Sequence, residues 1–505
     1  MKNWLIVFIS SVIVGGTLHA QKAKRPNIIL FLVDDMGWQD TSEPFWKEKT
    51  PLNKIYRTPS MERLAKEGMK FTNAYAAPVC TPSRVSLMTG MNTGHHGVTN
   101  WTSPLLNTPT DQKDDQFETA DWNYNGLSPV PGVPYTIYAT TFPQLLKDAG
   151  YFTVHVGKAH WGSQGTPGAN PNNMGFIVNI GGGAAGQEQS YYGEENYGNK
   201  PGIYSVRATP GLQDYYGTNT FLTEALTREA LKAIETPISR NEPFYLNMAH
   251  FALHVPVQPD PRFIEHYKDL DPEEAAYATL IEGMDKSLGD IMDFLKKKGV
   301  AENTIIIFMS DNGGLSITNR GGKPNTQNQP LKAGKGSVNE GGIREPMIVK
   351  WPGVVRGGTV TNQYVIIEDF FPTILEMAGI KNYKLVQQID GQSFVPLLKN
   401  PNQTQNTRSL IWHIPNKWIK DDAGPGINYY SAIRKGDWKL IYSLRTGKTE
   451  LYNLKTDIGE EKDLASGNAD RCRLLTTELF HQLKEWKAPM PVEKTTGKPL
   501  PFPVE

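Results

Sequence analysis

The sequence predicts an α/β chain. A large, doubly wound, mostly parallel sheet is flanked by helices, and a smaller C-terminal α+β subdomain carries an antiparallel sheet. Three observations predict this. Continuous apolar runs at residues 27–33, 244–249 and 304–309 read as strands buried on both faces, as in parallel sheets. Amphipathic helical patterns alternate with those runs, which is the βα order of a doubly wound domain. Beyond a polar stretch at residues 399–407 (KNPNQTQNT), short strands are joined by tight turns instead.

The elements follow in order. After the strand at 27–33, a helix is expected from Thr58-Pro59 to Gly68. A second begins at the Cys80 segment, with Thr81 as N-cap, Pro82 at the first helical position and Gly90 closing the far end. Residues 142–149 read as a helix stopped by Gly150, leading into a strand at 152–156. A helix at 220–235 precedes the strand at 244–249. A long amphipathic helix is expected at 272–298, the most apolar strand at 304–309, a strand at 347–351 and a helix at 368–378. In the C-terminal part, strands at 430–434, 438–443 and 450–453 form a meander, and a helix at about 469–486 closes the chain. Three segments are expected: residues 1–20, 21–400 and 401–505.

The first segment reads as a signal peptide. Lys2 precedes an apolar stretch from Trp4 to Val14, and small or polar residues run to Ala20. The stretch is too short to span a bilayer, so an exported, periplasmic or secreted protein without a membrane span is expected. The 505 residues carry 52 basic and 52 acidic side chains with no basic stripe, so no nucleic-acid partner is expected. Two cysteines, Cys80 and Cys472, make no disulfide framework, and nothing local supports bridging them. Cys472 fits the apolar face of the last helix.

Cys80 stands apart. In Cys80-Thr81-Pro82-Ser83-Arg84 it opens a helix, beside free backbone N–H groups where an anion would settle, with the Arg84 fork one turn away. A lone cysteine is more commonly a packing residue. Two acidic pairs weigh against that reading. Asp34-Asp35 ends the first strand and Asp311-Asn312 the strand at 304, the sheet edge where ligands bind. Three carboxylates and an amide form a hard, all-oxygen donor set suited to Ca²⁺ or Mg²⁺. Lys158 and His160, two residues apart after a strand, can point the same way. His254 follows the strand at 244, and Lys335 lies in Ala333-Gly334-Lys335-Gly336.

Taken together these segments carry a family resemblance. The chain resembles the formylglycine-dependent type I sulfatases of the alkaline phosphatase superfamily, from Pro26 to about Leu464. The resemblance rests on the run from Pro26 through Asp34-Asp35-Met36-Gly37, the Cys80–Arg84 motif with Leu87-Met88-Thr89-Gly90, Gly157-Lys158-Ala159-His160, Ser310-Asp311-Asn312-Gly313, and Gly334-Lys335-Gly336 with Glu340-Gly341-Gly342-Ile343-Arg344. It departs at Ala159, Trp161 and Ala333, where the family more often has Trp, Leu and Gly.

The resemblance implies an alkaline phosphatase-like fold and a sulfatase mechanism. A maturation partner, the formylglycine-generating or anaerobic sulfatase-maturing enzyme, converts Cys80 to formylglycine. One Ca²⁺ ion is held by Asp34, Asp35, Asp311, Asn312 and the modified Cys80. Arg84 steadies the hydrated aldehyde that attacks sulfur, and Lys158 and Lys335 draw charge from the sulfate. His254 protonates the leaving alcohol, with Lys335 as the alternative donor, and His160 takes a proton as sulfate is expelled. The similarity as a whole looks most like bacterial carbohydrate sulfatases, with galactose or N-acetylgalactosamine sulfate as substrate. Trp101, Arg320, Asn325, Trp412 and His413 are candidate sugar contacts. Two rivals are a phosphate ester or phosphonate hydrolase on the same scaffold, and a non-catalytic glycan-binding protein.

Overall fold

In the computed structural model, which describes residues 25–316, 328–403, 408–420 and 424–503, the first apolar run forms β1 (Asn27–Val33), buried along its whole length. Residues 1–20, expected to be a signal peptide, lie outside the described residues. β1 lies inside a sheet whose other strands are β2 (Met69–Tyr75), β3 (Phe152–Gly157), β4 (Val178–Ile180), β5 (Phe244–Ala249), β6 (Thr304–Ser310), β7 (Arg344–Lys350), β8 (Thr359–Thr361) and β9 (Val365–Ile366). Their order is β8-β2-β7-β6-β1-β5-β3-β4, with β9 also beside β2. β7 runs against β2 and β6, while the pairings of β1, β3, β4, β5 and β6 with one another are parallel.

Alternation along β1 explains the two layers of helices. Ile28, Leu30 and Leu32 point into one core, with α2 (Cys80–Thr89), α3 (Phe142–Asp148) and α6 (Phe370–Met377). Ile29, Phe31 and Val33 point into the other, with α1 (Pro59–Glu67), α4 (Leu222–Ser239) and α5 (Pro272–Lys297). A period of two on a strand sends neighbours to opposite faces, so a run apolar at every position needs cover on both sides.

Some boundaries differ from expectation, as at the strand expected at 347–351, which is Arg344–Lys350, and at three helices. α2 starts at Cys80 itself, after extended Val79 and without a side-chain cap. The Thr81 hydroxyl is instead taken up by His160 and by the Thr102 N–H. α4 runs on through Pro237 to Ser239. The helix expected from Glu368 begins at Phe370, after a 3-10 turn over Ile367–Asp369.

The C-terminal sheet is antiparallel, in the order β10 (Ser409–Ile414), β11 (Tyr430–Lys435), β12 (Trp438–Ser443), β13 (Thr449–Asn453). α7 (Ala469–Glu485) covers one face, where Leu475, Leu479 and Leu483 meet Ile433, Leu440 and Leu451. The other face, with Leu410, Trp412 and Ile441, is continuous with the large core. Cys80 and Cys472 are both free thiols. Among the described residues no helix is long and apolar enough to cross a membrane.

Candidate active site

The carboxyl ends of the central parallel strands bring the predicted residues together. Asp34 and Asp35 leave β1, Asp311 and Asn312 leave β6, Lys158 and His160 follow β3, and His254 follows β5. The strand ends are knitted by backbone bonds: Asp34 N–H donates to Ala252 O at 3.0 Å, Leu253 N–H to Asp34 O at 2.7 Å and Asp311 N–H to Val33 O at 3.0 Å. Gly157 lets β3 approach β5 closely. Its φ is 96°, and a Cβ there would sit 1.9 Å from Ala249 O. Lys158 N–H then donates to that same carbonyl at 2.7 Å. Ala333, ahead of Lys335, has φ 62°, a left-handed conformation that glycine adopts without strain.

Three cations and three carboxylates interlock. Lys158 Nζ donates to Asp34 Oδ2 at 2.5 Å, Lys335 Nζ to Asp35 Oδ1 at 2.6 Å and Arg84 Nε to Asp311 Oδ2 at 2.7 Å. Arg84 also donates to Lys158 O at 2.7 Å, which couples the Cys80 helix to the β3 exit. Burial alone would raise the Asp35 pKa, but Lys335, His254 and Lys158 together hold it well below the usual carboxylate range. Burial, then the charge of Asp34, pushes Asp311 up to about 6.

Carboxylate oxygens of Asp34, Asp35 and Asp311 lie within 4.8 Å of one another, all buried. Among the described residues, Asp34 Oδ1, Asp35 Oδ2 and Asn312 Oδ1 find no hydrogen-bond partner. Unpartnered buried oxygens are costly, and like charges in contact more so, unless a cation joins them. The donor set therefore fits a hard divalent cation, Ca²⁺ or Mg²⁺.

Cys80 lies over this cluster, and burial pushes its thiol pKa up despite Lys158 and Lys335. A protonated thiol is a poor nucleophile. His160 faces it, with Nδ1 at 3.6 Å from Cys80 Sγ, while Nε2 lies 2.9 Å from Thr102 O. Only an N–H can satisfy a carbonyl, so the neutral ring carries its proton on Nε2 and presents an acceptor to Cys80. Burial, then Lys158, drives the His160 pKa well below its ordinary value.

His254 is arranged the other way. Its Nδ1 lies 2.8 Å from Val255 O, so Nδ1 carries the proton and Nε2, 3.8 Å from Asp35 Oδ2, is the exposed acceptor. Burial, followed by the charge on Lys335, lowers its pKa to about 3. Nε2 is therefore the nitrogen at which His254 can take up or release a proton.

Above Cys80 opens a cavity of about 250 Å³ lined by Trp101, His160, His254 and Lys335. Gln187, Arg207, Leu315, Trp418 and Ile419 also line it, residues that no sequence motif singles out. A Trp in a polar loop (Asn416-Lys417-Trp418) was the one local signal available; Arg207 reads as an ordinary surface arginine.

Of the expected sugar contacts, Trp101 reaches this cavity. Trp412 and His413 must be corrected. Trp412 is 1 % exposed, donates Nε1–H to Ala76 O at 2.9 Å and packs edge-on against Tyr75. His413 is 1 % exposed and lies 2.8 Å from Ser431 Oγ and 2.6 Å from Pro489 O. Both belong to β10, whose burial against the core leaves a sugar no access to them. Arg320 and Asn325 lie outside the described residues.

Comparisons with known proteins show the family to which the chain belongs. The chain matches the family described as sulfatase over residues 26–380, and that described as N-sulphoglucosamine sulphohydrolase, C-terminal, over 334–488. It is 28 % identical to a sulfatase of Formosa agariphila over 564 aligned residues, covering 100 % of this chain and 98 % of that one. It is 32 % identical over 397 residues to N-acetylgalactosamine-6-sulfatase of Mus musculus, covering 76 % and 68 % respectively. Among solved structures, Ps i-CgsB in complex with k-i-k-neocarrahexaose is similar with a TM-score of 0.68 and 28 % identity, over 92 % of each chain.

Proposed function

Because the chain belongs to the sulfatase family and is therefore a sulfuric ester hydrolase, we propose that it removes sulfate from a carbohydrate, with galactose or N-acetylgalactosamine sulfate as the preferred class. The observation that carries the chemistry is the convergence of Cys80, two lysines, two oppositely oriented histidines and three carboxylates at one sheet edge. The sugar class is supported by the names of relatives: one is an N-acetylgalactosamine-6-sulfatase and another was crystallised with a neocarrahexaose.

Oxidation of Cys80 to formylglycine by a maturing enzyme, followed by addition of water to the aldehyde, would replace the protonated thiol with a hydroxyl nucleophile. A divalent cation, calcium in this reading, would be held by Asp34, Asp35, Asp311 and Asn312, with the modified Cys80 as a further ligand, and would polarise a sulfate oxygen. Lys158 and Lys335 bind the remaining sulfate oxygens, in fixed positions that need no rearrangement as charge builds. Arg84 holds the start of α2 against Asp311 and so orients residue 80. His160, with Nδ1 toward residue 80, accepts a proton there as sulfate leaves. His254 becomes a donor when the sulfate charge raises the affinity of Nε2 for a proton, and then hands it to the leaving alcohol.

Peptide mass spectrometry of the Cys80 segment, on protein from its exporting host, tests this. A loss of about 18 Da relative to the thiol is expected. Sulfate release by protein whose Cys80 is unmodified would overturn the assignment of the nucleophile. Matched aryl sulfate and aryl phosphate test the class: faster turnover of the phosphate would favour the phosphate ester or phosphonate reading.

A further inference from the structure

Among the described residues, the cavity above Cys80 is lined by one positive charge that the sulfate cluster does not use, Arg207. Arg84, Lys158 and Lys335 are each matched by a carboxylate, Asp311, Asp34 and Asp35. Arg207 lines the same cavity, is exposed, and has no side-chain partner among the described residues. Its position is nonetheless held from behind. The Arg207 carbonyl accepts from Gln189 N–H at 3.0 Å, Thr209 N–H donates to Tyr197 O at 3.1 Å, and Asn199 Nδ2 donates to Thr209 O at 2.8 Å. Gln189 follows Gln187, itself a cavity residue, so the loop bearing Arg207 is tied to the cavity wall. The wall between is neutral: Trp101, Pro104, Leu315, Trp418 and Ile419. At about 250 Å³ the cavity is smaller than the ~300–1,000 Å³ of drug-sized sites, and suits one sugar ring with its neighbour at the rim.

A guanidinium fork with no carboxylate partner among the described residues, in a pocket whose other charged lining residue, Lys335, is already matched by Asp35, is built to meet a planar or tetrahedral anion. We propose that Arg207 reads a second anionic group of the substrate, a carboxylate or a second sulfate, so that the enzyme prefers a polyanionic glycan to a sugar whose sole charge is the departing sulfate. This rests on the carbohydrate reading above and adds to it a specificity residue and a charge requirement.

The test measures binding, so it does not depend on turnover. Full-length protein carrying Cys80→Ala is titrated calorimetrically with three probes: N-acetylgalactosamine 6-sulfate, N-acetylgalactosamine 4,6-disulfate, and a disaccharide of N-acetylgalactosamine 6-sulfate with a hexuronic acid. At least one doubly charged probe binds about 10- to 100-fold tighter than the singly charged one. Which one does so identifies the second anion as sulfate or carboxylate. Arg207→Ala added to this background abolishes the preference, and Arg207→Lys keeps part of it. Equal affinity for all three probes, or a preference that survives Arg207→Ala, overturns the proposal. A preference that depends on Arg207, in a protein whose unmutated form releases no sulfate from any probe, would leave Arg207 in its role and overturn the substrate reading instead.

Discussion

The indole of Trp418 lies directly on the backbone of Gly336. A Cβ at residue 336 would sit 2.1 Å from Trp418 Cε3. Gly336 has φ 88°, and its N–H donates to Pro78 O at 2.7 Å. One glycine therefore sets three things: the cavity wall, the approach of Lys335 to Asp35, and the chain entering the Cys80 helix.

Gly336→Ala should disturb all three. The left-handed conformation costs about 1–2 kcal/mol for a residue with a Cβ, before any shift of the ring. Displacing Lys335 by about 1 Å should lower kcat/KM for sulfate release about 100-fold. Steady-state kinetics and thermal unfolding check this; a variant with unchanged kcat/KM would show that the contact is incidental.

His160→Gln should lower kcat by about 10²–10⁴, the usual worth of a positioned general base. Because burial and Lys158 hold the His160 pKa well below normal, the ring stays an acceptor as pH falls through its ordinary value. The acid limb of kcat should therefore have its midpoint below about 6.5. A limb at or above that value that disappears in His160→Gln would contradict the lowered pKa of His160.

Chelation should abolish sulfate release and lower the melting temperature. Removing the cation uncovers three buried carboxylates within 4.8 Å of one another. A cation present at 100 times its dissociation constant contributes about 2.7 kcal/mol. Ca²⁺ or Mg²⁺ should restore both properties, and Zn²⁺ should not, given the all-oxygen donors. Fully active protein that contains no metal by elemental analysis would rule out the cation.

His413 gives a prediction about stability alone. Burial lowers its pKa to about 4, while the unfolded chain titrates near the ordinary histidine value of 6.5. Between those values the unfolded state binds the extra proton, so this contribution to stability is whole above about pH 6.5 and is lost as pH falls toward 4. At pH 5 the loss is on the order of 2 kcal/mol. Urea unfolding of wild type and His413→Gln at pH 7 and pH 5 should show their difference shrinking at the lower pH. A constant difference would mean that the histidine does not titrate differently on folding.

Most of the scaffold was legible in the sequence. The run from Asn27 to Val33 is apolar at every position, and only a strand covered on both faces accommodates that. Gly90 and Gly150 mark helix ends because both adopt left-handed φ, at 71° and 88°. The cluster residues were legible because strand ends in a parallel sheet converge. Trp412 and His413 were misread because β10 is short and follows a polar stretch, which hid its alternation of Leu410, Trp412 and Ile414 toward the core. Arg207 and Trp418 went unseen because a cavity wall assembles from segments that share no local pattern.

The sequence by itself determined the strands, the helices on either side of them, and which residues carry reactive groups. Those follow from local periodicity and from side-chain chemistry. Tertiary structure decided which groups meet and in what protonation state. Lys335 reaches Asp35 across 300 positions of chain, and Thr102 O sets which nitrogen of His160 faces Cys80. Contacts of that kind depend on how distant segments pack, and burial, which shifts each pKa, exists only once they have packed.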